Sequence, residues 1–187
     1  FSIRFFRNFK LDQIFPTYFI CYVGIIVASA TSPQFGFEPF AYALFWFGFA
    51  CFIPLFILIT IRYIKRPVPE ATRPLFCIYS APASLSIVGY LAVEPVPNLL
   101  FVACLLTAAQ ILFIIVLVKL PKFLSLGFYP SFAAMTFPFV ITATALTYAI
   151  DLFREASTVL LPMVEQIAAL ETMFAGVMVA FVFAKYM

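Results

Sequence analysis

The chain has 187 residues, 65% of them hydrophobic and only 10% charged, and its mean hydropathy is +1.12. Soluble domains carry about 25% charged residues, and several apolar runs here exceed the ~18 residues that mark a membrane-spanning helix, so a soluble fold is excluded. A net charge of +3 is too small to indicate a nucleic-acid partner, and the lack of histidine removes His-based metal sites and His general bases. The composition predicts an all-α integral membrane protein without metal or cofactor, and it gives little support to an enzyme.

Six apolar spans follow one another, separated by turn-rich or basic loops. They cover residues 14–31, 40–64, 75–93, 99–120, 129–150 and 158–184. We predict that they form three helical hairpins, over about 14–64, 74–120 and 129–184, within a single transmembrane domain. Because the chain opens at Phe1 without a signal-peptide pattern, we expect it to be the C-terminal part of a longer protein.

The basic residues separate by side of the membrane when six spans are counted. With residues 1–13 in the cytoplasm, ten of the eleven lysines and arginines fall on the cytoplasmic side and only Arg154 falls outside, a strong positive-inside signal. The ten are Arg4, Arg7, Lys10, Arg62, Lys65, Arg66, Arg73, Lys119, Lys122 and Lys185. Both ends of the chain are therefore predicted to be cytoplasmic, and the short basic loops suit a plasma-membrane protein.

A proline-containing motif recurs at the start of each odd-numbered span. Pro16 in FPTY, Pro74 in RPLF and Pro130 in YPSF are 58 and 56 residues apart. Proline is tolerated in the first helical turn and is therefore a good start signal. A period of this kind indicates a repeated supersecondary unit, here a hairpin with one helix leading out and one returning.

The odd-numbered spans are rich in small and hydroxyl residues, whereas the even-numbered spans are rich in Phe, Leu and Ile. Small residues allow close helix packing in membranes, so we predict odd helices inside and even helices outside, against lipid. The candidate pore-lining residues are Gly24, Ala28, Thr31, Ser80, Ser84 and Thr144. The first three follow an i, i+4, i+7 spacing, which is one face of a helix. The alternative is that these small residues serve helix packing alone.

The fifth span combines a bulky ring and a proline with many small residues. Phe137 directly precedes Pro138, and Pro82 lies in a similar small-residue setting in the third span. A proline inside a helix removes a backbone hydrogen bond, and in lipid the freed groups need partners or a wet cavity. We predict kinks at Pro82 and Pro138 and a plug at Phe137. The alternatives are kinks that only improve packing and a ring that belongs to the core.

Two charged residues, Arg73 and Glu171, are further candidates for functional residues. Arg73 would attract anions to the cytoplasmic entrance of the third span, although positive-inside topology alone also predicts a cation there. Glu171 lies within the last span, where a carboxylate is a functional candidate by default. It could couple transport to protons or make a packing contact, and we favour packing because the sixth span is predicted to be an outer helix.

Three segments in order, FPTYF…GIIVASATSP, RPLFCIYSAPASLSIVGYL and FYPSFAAMTFPFVITATAL, resemble the tellurite-resistance/dicarboxylate transporter family. The likeness covers almost the whole chain. It implies ten helices in five hairpins, with five odd helices around a pore, five even helices outside them, and three such protomers in a trimer. The six spans match the last six helices, and the phenylalanine that blocks the family's pore matches Phe137.

The resemblance implies transport of a small anion across the plasma membrane, such as a C4-dicarboxylate like malate, or tellurite or sulfite. Channel and coupled carrier both stay open. The residues alone also leave a non-transporting membrane scaffold or subunit, and a membrane-embedded enzyme for which no convergent polar cluster is visible. Three odd helices cannot close a five-helix pore, so we expect the remaining hairpins to come from a longer chain or a partner.

Overall fold

The computed structural model describes residues 11–156 and 162–187, and within these ranges the chain is almost entirely helical and contains no strand. The α-helices are α1 (Thr17–Tyr22), α2 (Ile25–Thr31), α3 (Glu38–Lys65), α4 (Ala81–Val93), α5 (Leu99–Leu124), α6 (Phe137–Glu155) and α7 (Pro162–Tyr186). Four 3-10 helices accompany them, at Leu11–Gln13, Ser32–Phe35, Glu70–Ser80 and Pro130–Met135. The predicted start of the last span at 158 and the basic residues Arg4, Arg7 and Lys10 lie outside the described residues.

Five helical stretches in the described part of the chain are long and apolar enough to cross a membrane. They are Glu38–Lys65, Glu70–Val93, Leu99–Leu124, Pro130–Glu155 and Met163–Tyr186. These stretches confirm the prediction of an all-α membrane protein. The first predicted span, 14–31, is not a single helix: it consists of α1 and α2, two short helices that meet at Val23 and Gly24.

The break in the first span is built around Gly24. The amide groups of Val23 and Gly24 both donate to the Phe19 carbonyl oxygen, at 2.8 and 2.9 Å, so the helix widens here into a single π-type turn. A Cβ atom at residue 24 would collide with the carbonyl oxygen of Ile20, and only glycine permits this close backbone approach. The local backbone geometry is therefore the reason why the predicted continuous helix is absent.

Burial separates two kinds of helical segment. We call residues 17–31, 70–93 and 130–155 the inner segments, and α3, α5 and α7 the outer helices. In their most apolar stretches, 78% and 56% of the residues of the second and third inner segments are buried, against 17%, 28% and 28% for the outer helices. The predicted placement of small-residue helices inside and bulky helices outside is confirmed for the second and third inner segments.

The helices follow one another around the bundle in chain order. Helix α2 packs against α4, and α4 packs against α6. Each outer helix packs against the inner helix of its own hairpin, and α3 and α5 also contact the next inner helix along the chain. Each hairpin therefore leaves a groove between its two helices, and the inner helix of the following hairpin fills that groove.

Ile26 fills the point where α2, α3 and α4 meet. Its side chain is fully buried. A Cβ atom at Gly89 would collide with Ile26 Cγ2, and a Cβ atom at Gly48 would lie 2.5 Å from Ile26 Cγ1. Two glycines on neighbouring helices thus create the space that one branched side chain occupies, which is the close approach that small residues provide in membranes.

Aromatic rings on one face of α3 join the outer helix to its neighbours. Phe49 lies edge-to-face with Phe101 of α5, with ring centroids 5.6 Å apart, and Phe56 lies edge-to-face with Tyr79 at 5.7 Å. Such pairs contribute about 0.5–1.5 kcal/mol each beyond their burial. The phenylalanine-rich composition of α3 is therefore used for packing on its inward face as well as for contact with lipid.

Side-chain hydrogen bonds tie the segments together at one end of the bundle. We call it the basic end, because Lys65, Arg73, Lys119 and Lys185 lie there. The Tyr129 hydroxyl donates to Glu70 Oε1 at 3.0 Å, and Ser131 Oγ donates to the Ala71 carbonyl at 2.6 Å. The Tyr186 hydroxyl at the end of α7 donates to the Pro130 carbonyl at 2.5 Å. These bonds hold the start of the third inner segment against the second one and against α7.

We expect Gly89→Ala to lower the free energy of unfolding by about 1–3 kcal/mol, the usual cost of overpacking a buried site. The added methyl group would collide with Cγ2 of Ile26, whose side chain is fully buried. The matched control is Gly127→Ala in the turn after α5, where nothing lies within 4 Å of the added atom and the backbone φ is not positive. That control should be neutral or slightly stabilising, because alanine reduces the conformational freedom of the unfolded chain.

Unfolding of the purified variants by heat or denaturant measures both effects. Equal unfolding midpoints for the two alanine variants would contradict the close packing of Ile26.

Candidate functional site

A cavity of about 490 Å³ lies between the three inner segments. All of its lining residues belong to the inner segments, and none of them belongs to an outer helix. The cavity wall is mainly aliphatic, and among the lining residues only Thr17 and Ser131 carry a polar side chain. The described lining therefore contains no charged group.

The cavity is lined by equivalent positions of the three repeats. Counted from the motif prolines Pro16, Pro74 and Pro130, the first, fourth, seventh and eighth residues all face it. These residues are Thr17, Leu75 and Ser131; Ile20, Ile78 and Ala134; Val23, Ala81 and Phe137; and Gly24, Pro82 and Pro138. This spacing selects one face of a helix, so each inner segment presents the same face to the cavity.

The eighth position lies at the break in each inner segment. Gly24 separates α1 from α2, Pro82 lies in the first turn of α4, and Pro138 lies in the first turn of α6. A proline in a first turn lacks an amide that would have no intrahelical acceptor anyway, so it costs no helical hydrogen bond. The two prolines thus start an α-helix after a 3-10 segment, where the sequence predicted a kink within one continuous helix.

Phe137 is the large side chain at the seventh position. Its side chain is 47% exposed, whereas the nearby rings of Phe132 and Phe139 are 1% exposed. The equivalent residues of the other two segments are Val23 and Ala81, which are smaller and buried. Phe137 therefore stands in the cavity and does not belong to the packed core, which was the alternative reading of this ring.

Ser80 and Ser84, two of the predicted lining residues, do not face the cavity. Both are fully buried. Ser84 Oγ lies 2.9 Å from the Ser80 carbonyl oxygen and 3.2 Å from Thr142 Oγ1 on α6. Thr142 in turn donates to the Pro138 carbonyl at 2.8 Å. These hydroxyls join α4 to α6, which is the packing role that small polar residues also have in membranes.

The remaining predicted lining residues also lie elsewhere. Ala28 and Thr31 are exposed on α2 and are absent from the cavity lining, and Thr31 Oγ1 donates to the Val27 carbonyl at 3.1 Å. Thr144 lines a separate groove of about 400 Å³ between α6 and α7, which it shares with Gly176. Of the six predicted lining residues, the structure brings only Gly24 to the central cavity.

The two charged candidates lie apart from the cavity. Arg73 is exposed at the basic end, within the 3-10 helix that precedes α4. Glu171 is 6% exposed, and Gln110 Nε2 of α5 lies 3.5 Å from its Oε2, near the long limit for a hydrogen bond. Glu171 therefore sits between two outer helices and does not line the cavity.

Thr17 and Ser131 are the polar lining residues that the sequence analysis missed. Each directly follows a motif proline, as Leu75 does in the second repeat. The signal was present in the repeat itself, because counting from the three prolines selects the cavity-facing positions. A search for hydroxyl residues in the apolar middle of each span selects the helix interfaces instead.

Together, the fold and the cavity define a multi-pass membrane protein whose broken inner segments line one cavity and whose continuous outer helices expose apolar side chains. A family model described as voltage-dependent anion channel matches residues 1–186. The chain belongs to this family, which consists of anion channels and transporters and not of enzymes, and the resemblance drawn from the three sequence segments is confirmed. No curated protein matches the chain.

The lining can be checked by cysteine labelling. We expect a cysteine at Ala81 to react with a small water-soluble thiol reagent at least about tenfold faster than a cysteine at Ala83, because Ala81 lines the cavity and Ala83 is fully buried two residues away. The exposed native thiols, Cys21 and Cys104, would first be replaced by alanine. Equal labelling rates at the two positions would contradict the assigned cavity face.

Proposed function

We propose that the protein conducts small anions across the plasma membrane through the central cavity, with the three inner segments forming part of the pore wall. The supporting observation is the lining of one cavity by four sets of repeat-equivalent residues. A wall made of the same face of successive hairpins is what a pore around a pseudo-symmetry axis requires. Helix packing alone does not require equivalent residues to meet at a common space.

The electrostatics of the cavity suit an anion. Helices α4 and α6 both begin beside it, so the positive ends of their dipoles lie next to the space. No acidic side chain is among the lining residues, and no fixed cation is among them either. Conduction needs binding that is weak enough to allow release, and backbone dipoles without a fixed charge satisfy this need.

We propose Phe137 as the gate of this pathway. The ring is exposed in the cavity at the position where the other two segments carry Val23 and Ala81. It is the first residue of α6 and follows the change from 3-10 to α-helix, so the backbone next to it is not part of a regular helix. An apolar constriction of this kind blocks an ion by steric exclusion and dewetting, and rotation of the ring would open it.

We propose that the basic end faces the cytoplasm, so that both ends of the chain lie there. The positive-inside distribution supports this orientation, with Arg73 among the residues that would concentrate anions at the entrance. At the opposite end, Arg154 is paired with Glu165 at 2.7 Å and lies 3.6 Å from Asp151. Two carboxylates around one guanidinium give this cluster a net negative charge, opposite in sign to the charge of the basic end.

We further propose that additional hairpins complete the ring and that three protomers assemble into a trimer. The groove between α6 and α7 corresponds to the grooves that α4 and α6 fill in the first two hairpins. It is lined by small and hydroxyl residues, and there is open space around Gly176. A further inner helix would fit there in the same way. The substrates that the family resemblance suggests are C4-dicarboxylates such as malate, tellurite and sulfite.

The test of the pore and its gate is anion flux in liposomes that contain the chain together with the hairpins proposed to complete the ring. We expect Phe137→Ala to raise chloride or malate flux by roughly tenfold, which corresponds to a barrier lower by about 1.4 kcal/mol, because the ring no longer obstructs the cavity. The matched control is Phe183→Ala, which removes an exposed ring from the lipid-facing side of α7. If both variants conduct like the wild type, Phe137 is not a gate; if no form conducts although it is folded, the protein is not an autonomous anion pathway.

We expect Glu171→Gln to leave both the flux and its pH dependence unchanged. The Glu171 side chain lies between α5 and α7, its nearest described polar partner is the amide of Gln110, and it is absent from the cavity lining. Glutamine keeps the shape and one acceptor oxygen, so the contact between the helices survives. Loss of a proton-driven component of flux in this variant would show instead that Glu171 couples transport to protons.

A further inference from the structure

Arg62 is a buried cation without a counterion in the described part of the chain. It lies in the last turn of α3, and its side chain is 1% exposed. Its Nε and Nη1 atoms have no hydrogen-bond partner among the described residues. These two nitrogens carry three of the five N–H donors of a guanidinium, a group that does not lose its proton in proteins.

The described residues around Arg62 supply aromatic rings but no acceptor for these donors. The guanidinium carbon lies 4.7 Å from the centroid of the Phe15 ring and 5.3 Å from that of Tyr63. The Tyr63 hydroxyl is also buried and also lacks a hydrogen-bond partner among the described residues. The ion pairs found between described residues involve Arg154 and not Arg62.

The donors of Arg62 and Tyr63 that are buried and unpaired in the described part of the chain indicate that a hydrogen-bond acceptor is missing beside them. Contacts with aromatic faces and a position at a helix C-terminus both favour a cation, but neither satisfies N–H donors. Buried polar groups are normally hydrogen-bonded, and a buried charge that lacks a partner is strongly destabilising. The open groups are N–H donors of a cation and a hydroxyl that can also donate. An anion would accept from these donors and would also balance the buried charge, which a neutral acceptor would not do.

We propose that Arg62 and Tyr63 form an anion-binding site that is separate from the central cavity. Its ligand is a small anion such as chloride, nitrate or phosphate, either free in solution or as the phosphate of a lipid headgroup. Neither residue lines the cavity. Because Phe15 covers the guanidinium and lies two residues before the first inner segment, an anion bound here would hold the start of that segment against α3. This site does not depend on the central cavity being a pore.

The experiment is thermal unfolding of the purified protein in detergent at constant ionic strength, with gluconate replaced stepwise by chloride, nitrate or phosphate. We expect the wild-type midpoint to rise by about 3–6 °C when the effective anion reaches roughly ten times its dissociation constant. Arg62→Met keeps the length and apolar character of the side chain and should abolish the rise. Tyr63→Phe keeps the ring and should reduce the rise, which provides a milder variant if Arg62→Met does not fold.

Two controls separate this site from other sources of anion dependence. Lys65→Met removes an exposed cation one turn further along α3 and should leave the rise unchanged. Phe137→Ala alters the central cavity and should leave it unchanged as well. A wild-type midpoint that neither a free anion nor added phospholipid moves, or a rise that persists in full in both Arg62→Met and Tyr63→Phe, would overturn the proposal. Flux measurements report on the pore separately, so failure of one proposal does not imply failure of the other.

Two further experiments distinguish a lipid-headgroup phosphate from a free anion as the ligand. Delipidated protein in gluconate would be supplied with a phospholipid, and stabilisation that requires Arg62 would identify a headgroup phosphate as the ligand. For a free anion, crystals of the wild type in bromide should show anomalous density beside the guanidinium. A carboxylate or carbonyl group of the protein itself occupying the Arg62 donors would overturn the site.

Discussion

The structure depends on one constraint: a backbone inside a membrane must satisfy its hydrogen bonds, so a break in a helix is tolerated only inside protein or beside a cavity. All three inner segments are broken, at Gly24, beside Pro82 and beside Pro138. All three breaks lie at the same cavity. The irregular backbone of all three inner segments therefore lies beside the cavity, and the lipid-facing surface can be built from continuous helices.

The outer helices form the continuous, apolar outer surface of the bundle. Helices α3, α5 and α7 run unbroken for 28, 26 and 25 residues, long enough to cross the hydrocarbon region. They expose side chains such as Ile57, Ile114 and Val177 and keep their inward faces against the inner segments. Ile26 between two glycines and the Ser84–Thr142 hydroxyl pair then fix the distances between the helices. The broken segments therefore derive their order from packing and not from their own short helices, which would be marginal alone.

Much of this architecture could be predicted from the sequence, because hydropathy, small-residue content and the proline motif each report on a strong physical requirement. The inner and outer classes and the repeat followed from these signals. The break at Gly24 did not, because it depends on how closely the Gly24 backbone approaches the Ile20 carbonyl, which composition does not encode.

The candidate site was predictable only in part. Phe137 was identified because a large ring beside a proline is conspicuous among small residues. Ser80 and Ser84 were assigned to the cavity although they bond across a helix interface, since a small hydroxyl residue suits both environments. Arg62 was counted only as one cation of a topological pattern, because its burial is a property of the folded chain. Residue type indicates which environments a side chain can occupy. The helix face on which the residue lies decides whether it lines the cavity or packs against another helix.

The seventh position of the repeat, occupied by Val23, Ala81 and Phe137, has an evolutionary consequence. A wall assembled from copies of one hairpin starts with the same side chain at every equivalent site, and any bulky residue would then be present in every copy at once. Once the copies are separate stretches of a single chain, each of them can change alone. The diameter of the central space can therefore be reset by one substitution in one hairpin, while the other hairpins retain the fold.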